Sequence, residues 1–78
     1  MATSTTKLKL VRESLGLSQD ALAHRTRSVS VSTYVRVEQG KGAARYGTAM
    51  QILEAINVLL REAGKPEMTL EDLELRLY

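Results

Sequence analysis

Three observations predict an all-α domain of five short helices. Apolar residues recur at helical spacing in the first, longest and last segments, with Leu8, Val11 and Leu15 in the first and Ile52, Ile56, Leu59 and Leu60 in the longest. Glycines at positions 16, 40 and 64 fall where such segments stop, and Ser or Thr stands where they start. The core has to be aliphatic: Phe and Trp are absent, and aromatic residues are 4% of a chain that is 44% hydrophobic. Small helices pack well with that set of side chains. At 78 residues, one compact domain is expected.

Residues 1–6 are small and polar and read as a flexible arm ending in a Thr cap. A first helix over about residues 6–15 carries the Leu8, Val11, Leu15 stripe and stops at Gly16. Ser18 caps a second helix over about residues 18–26, with Gln19 and Asp20 in its first turn and Leu22 and Ala23 inward. From Val29 to Val37 the alternation of Val and polar residues has the period of a strand. No second strand-like run lies at hairpin distance, however, and a lone strand cannot satisfy its backbone. A third helix, capped by Ser30 or Ser32, turning Tyr34 and Val37 inward and ending at Gly40, is the better reading. The loop of residues 40–47 carries Lys41, Arg45 and Tyr46, and Thr48 is expected to cap a fourth helix over 48–63. Beyond Pro66, Thr69 and Asp72 have capping-box spacing, while Leu73, Leu75 and Leu77 also alternate. A helical turn followed by an extended end is as consistent with that pattern as a helix to the C-terminus.

The composition excludes several classes of chemistry. There is no cysteine for a disulfide, a thiolate metal site or a nucleophile, and a single histidine, His24, does not build a zinc site. Carboxylates are scattered or, at Glu71, Asp72 and Glu74, cluster in the tail without a companion histidine, so neither an enzyme nor a cofactor is expected. No apolar run approaches the roughly 18 residues that span a bilayer, and the start lacks the apolar core of a secretory signal, so the expected location is the cytoplasm, with no membrane partner. Charge is unevenly spread. Residues 1–47 hold eight Lys or Arg against three acids, a net +5, and residues 48–78 hold three against six, a net −3. A basic front half is the footprint of a nucleic-acid binder, although a solvated helical surface produces the same imbalance.

A basic first helix, a short capped second helix, a brief turn and a Ser/Thr-rich third helix ending in Gly form the pattern of a helix-turn-helix. Three blocks make the likeness specific. Leu15 to Ala23 (LGLSQDALA) resembles the GLSQ..LA signature of the lambda-repressor and Cro, or XRE, family; Val37 to Lys41 (VEQGK) resembles its I-E-x-G-K; and Thr48 to Val58 is similar to its TL.KIA.ALGV helix. The likeness spans about residues 7–60 and implies a lambda-repressor-like five-helix domain over 7–63, with residues 64–78 as a C-terminal extension.

The resemblance also implies roles. Arg12 and Glu38 correspond to a structural ion pair between the first helix and the end of the third. Ser30, Val31, Ser32, Thr33 and Arg36 occupy base-reading positions, where Arg pairs bidentately with guanine and a Val methyl meets a thymine methyl. Gln19, Gln39, Lys41, Arg45 and Tyr46 occupy phosphate-contacting positions, with the Gln19 side chain also bracing the recognition helix. The chain departs from the pattern by one extra residue in the turn at 25–28, by lack of the turn glycine, and by lack of a proline after Gly40-Lys41. The expected function is a double-stranded DNA-binding regulator, more naturally a repressor, acting as a homodimer. Val58, Leu59, Leu70, Leu73, Leu75, Leu77 and Tyr78 are candidates for the dimer interface, their other use being packing within the chain. The thin base-reading helix keeps a second reading open, a protein-interaction module such as an antitoxin or an adaptor of another regulatory protein.

Overall fold

The computed structural model of the chain describes residues 6–41 and 43–77; the arm before Thr6, Gly42 and Tyr78 lie outside them. Five helices follow in order: α1 (Lys7–Ser14), α2 (Gln19–His24), α3 (Val31–Glu38), α4 (Tyr46–Glu62) and α5 (Leu70–Leu73). No helix among the described residues is long and apolar enough to cross a membrane. The strand-like alternation of 29–37 gives way to helix because the cap and the core agree on it. Ser30 Oγ accepts from the Thr33 amide at 3.2 Å, and Tyr34 and Val37 turn into the core.

Thr6 caps α1 and Ser18 caps α2, each through its hydroxyl. Gly16, at φ 73°, lets the chain reverse after α1, with the Leu17 amide bonding back to the Arg12 carbonyl at 3.3 Å. Gly40, at φ 71°, does the same after α3, where the Lys41 amide reaches the Arg36 carbonyl at 3.1 Å. The second helix ends two residues earlier than expected, because the chain leaves it at Arg25 and the Thr26 hydroxyl takes the Ala23 carbonyl at 2.6 Å.

The start of α4 differs from the sequence reading. Thr48 is not its cap; the helix begins at Tyr46 after an extended Arg45, with no side-chain cap bond. Tertiary anchoring sets this start. Ala44 is buried, and its amide donates to the Arg76 carbonyl at 2.7 Å within a parallel bridge between Ala44 and Leu77.

The core gathers Leu8, Leu22, Tyr34, Ile52, Ile56 and Leu73, all fully buried, with α4 running through it. The C-terminal segment belongs to this core. Thr69 and Asp72 form a reciprocal capping box, α5 lasts one turn, and Glu74 ends it at φ 55° before the chain extends toward Ala44. Asn57 pins the return by clasping both backbone groups of Met68, at 2.9 and 2.8 Å. Leu73 is therefore no interface residue: at 0% exposure it packs within its own chain. Leu59, Leu70 and Leu75 are partly buried against the same core, leaving Val58 and Leu77, 40% and 39% exposed, as the open members of the set among the described residues.

If the extension is part of the core, Leu73→Ala should cost about 3 kcal/mol, the usual range for a buried Leu-to-Ala change. Urea unfolding measures this; a loss below about 0.5 kcal/mol, typical of surface substitutions, would contradict the packing.

Candidate nucleic-acid interface

The centre of the site is a carboxylate. Glu38 is the last residue of α3, 2% exposed, and each of its oxygens accepts two hydrogen bonds. Oε2 accepts from Arg12 Nε and Tyr34 Oη, both at 2.7 Å, and Oε1 accepts from Gln19 Nε2 at 2.9 Å and Arg12 Nη2 at 3.2 Å. Arg12 spends its remaining terminal nitrogen on the Leu17 carbonyl at 2.7 Å, and the Thr6 hydroxyl donates to the Glu38 carbonyl. One acid thus joins α1, the first turn of α2 and both ends of the last turn of α3. No buried side-chain polar atom among the described residues lacks a partner, which is what makes a buried charge tolerable.

The network sets its own ionisation. Burial pushes the Glu38 carboxyl up, and the hydrogen bonds from Arg12, Tyr34 and Gln19 outweigh it, so the acid titrates below its ordinary range. Its hydrogen bond to Glu38 raises Arg12 against the opposing effect of burial. Burial first, and then the bond to Glu38, raise Tyr34 far above its ordinary 10.0.

With Tyr34, Val37 and Glu38 held inward, α3 presents its other side to solvent. Ser32 and Arg36 are exposed and Thr33 is half-buried. Val31 is half-buried against the core, so little of its side chain stands free. Ser30 is exposed, but its hydroxyl serves as the helix cap and lies 3.0 Å from Thr33 Oγ1. Two clefts flank α3. One lies between Thr33 and Arg36 on one side and Ala43, Arg45 and Thr48 on the other. The second is lined by Lys9, Glu13, Gln19, Gln39 and Lys41. Gln39, Lys41, Arg45 and Tyr46 are all exposed, and Tyr46 opens α4 at 62% exposure. Gln19 takes up the bracing position against α3 with its side chain. Its amide nitrogen is bound to Glu38, and its own backbone sits in the first turn of α2.

Three participants escaped the sequence reading. Lys9 stands on the exposed side of α1 at the rim of the second cleft, and its signal was its place opposite the Leu8, Val11, Leu15 stripe. The Tyr34 hydroxyl, expected only as core, lies i to i+4 from Glu38 on one helix face, a spacing that was available in the sequence. Gln51 of α4, bound to Ser28 of the turn, carries no local signal at all.

The raised Tyr34 gives a test by pH. A group whose folded value is raised stabilises the fold below its unfolded value, and that contribution is lost as pH climbs past it. Melting temperature should therefore fall as pH rises above about 10, and Tyr34→Phe should remove that fall while costing about 2 kcal/mol at neutral pH, as expected for a bond to a charged acceptor. Glu38 acts in the opposite direction: its stabilisation is complete above the ordinary carboxylate range and is lost as pH drops through its lowered value. Identical alkaline limbs for wild type and Tyr34→Phe would contradict the buried hydroxyl–carboxylate contact.

Residues 8–63 match the helix-turn-helix family. No curated protein and no solved structure gives a significant match. The match covers most of the chain, and with the α2–α3 pair, the outward face of α3 and the buried pair beneath it, the chain belongs to the helix-turn-helix family of the lambda-repressor and Cro type, a family of DNA-binding regulators.

Proposed function

We propose that the protein is a sequence-specific regulator of transcription, acting as a repressor, that reads the major groove of double-stranded DNA with α3 as a homodimer. The observation that carries this reading is the outward face of α3: Ser32, its hydroxyl 3.3 Å from that of Ser30, and Arg36 are exposed on a helix flanked by two clefts whose rims hold Arg45 on one side and Lys9 and Lys41 on the other. Arg36 has the reach and donor geometry for guanine O6 and N7. Lys41, Lys9, Gln39, Arg45 and Tyr46 suit the phosphates, with α4 adding the positive end of its dipole beside Arg45. Gln19 contributes the backbone of the first turn of α2 and uses its side chain to brace α3. One short recognition helix per chain calls for two half-sites, about 34 Å apart along the duplex. Of the interface candidates among the described residues, Val58 and Leu77 are the exposed apolar ones available for pairing two copies.

The second reading, a module that binds another regulator, draws support from the thin readout. Ser30 is occupied as a cap and Val31 leans on the core, so few side chains remain for the bases.

Selection from a random duplex library at two salt concentrations separates the two. The DNA reading expects an enriched two-fold-symmetric motif. Arg36→Ala should lose preference at one base position by about 1 to 3 kcal/mol, while Lys41→Ala should weaken all sequences alike and reduce the salt slope by about one. An absence of duplex binding at low salt would hand the function to the protein-interaction reading.

A further inference from the structure

Between α2 and α3 the turn contains no glycine, yet it is fixed from two sides. From within, the Thr26 hydroxyl lies between the Ala23 carbonyl, at 2.6 Å, and the Val29 amide, at 3.3 Å. From outside, Gln51 of α4 meets Ser28 at both ends of its amide. Gln51 Oε1 accepts from the Ser28 amide at 2.9 Å and from its hydroxyl at 3.2 Å, and Gln51 Nε2 donates to Ser28 Oγ at 3.1 Å. Ser28 lies two residues before Ser30, the cap of α3, so whatever holds Ser28 holds the end of α3 that enters the groove.

We propose that Gln51 is a positioning residue for base recognition: it latches the turn before α3 to α4 and so sets the angle at which α3 presents Ser32 and Arg36. The network around Glu38 holds the C-terminal end of α3, and the Gln51 latch holds the N-terminal end. Without the latch the N-terminal end keeps only the Thr26 bonds and the packing of Val29 and Val31. A helix held more loosely at one end can pivot about the other, and a pivot moves side chains relative to base edges while leaving charge near phosphates almost unchanged. Loss of the latch therefore lowers specificity more than it lowers affinity. The Gln51–Ser28 bonds are solvent-exposed, so their removal leaves the core intact. This inference rests on the reading of α3 as the base-reading helix.

The test compares wild type, Gln51→Ala and Gln51→Glu on the motif enriched from the duplex library and on a scrambled duplex, together with amide hydrogen exchange at Ser28. Gln51→Ala is expected to lower the ratio of specific to scrambled binding about tenfold, the size of one mismatched base pair, with an unchanged salt slope and faster exchange at Ser28. Gln51→Glu keeps an oxygen acceptor for the Ser28 amide and hydroxyl. It should recover most of the ratio and slow the exchange again, which loss of a direct base contact from the Gln51 amide nitrogen would not do. An unchanged ratio in Gln51→Ala, with a motif enriched by wild type, overturns the inference and leaves the DNA reading standing. Failure of wild type to enrich any motif overturns both.

Discussion

A single buried carboxylate constrains most of this small domain. Taking a charge out of water costs several kcal/mol, and the cost is offset only when every lone pair of the acid finds a donor in good geometry. Glu38 meets that condition with four bonds from three side chains, and those side chains come from α1, α2 and α3. The helices are therefore not free to choose their mutual angles. Moving α2 away from α3 would break the Gln19 bond, and moving α1 would strip the guanidinium from the acid. A hydrophobic pair of the same volume would supply comparable stability with less directional constraint. The ion pair thus connects packing to function, since the polar face of α3 points outward because its other face is tied down.

The remaining parts of the fold extend the same logic to a chain with little core to spend. With no Phe or Trp, burial depends on aliphatic side chains from every element, including the one-turn α5 and the extended tail. The tail returns to Ala44, directly before α4, and so steadies the loop that carries Lys41 and Arg45. The acidic C-terminal segment thus helps to hold the basic loop.

Much of this architecture was legible in the residues. Thr6, Ser18 and the pair Ser30 and Ser32, of which the structure uses Ser30, announce helix starts by local chemistry, and the Thr69–Asp72 box is local as well. The blocks around Gln19, Glu38 and Ile52 were enough to indicate the family. What was not legible depends on contacts between distant segments. The start of α4 at Tyr46, in place of a cap at Thr48, follows from the bridge between Ala44 and Leu77, 33 positions apart. Leu73 reads equally well as a core or an interface residue, because amphipathic spacing says that a side chain is buried and not against what. The Gln51–Ser28 contact crosses 23 positions and involves two polar residues of no periodic pattern. Ser30 shows a further limit: one hydroxyl suits both a helix cap and a base contact, and only the structure shows it already occupied as the cap.

The central claim is that Glu38 and Arg12 act as one unit joining α1 to α2 and α3. A double-mutant cycle by urea unfolding, with Arg12→Met, Glu38→Gln and both together, measures it most directly. The account expects a coupling of roughly 2 to 3 kcal/mol, with the double variant far more stable than the sum of the single losses would allow. Single losses that add to within about 0.5 kcal/mol would show that the two residues act independently, and would contradict it.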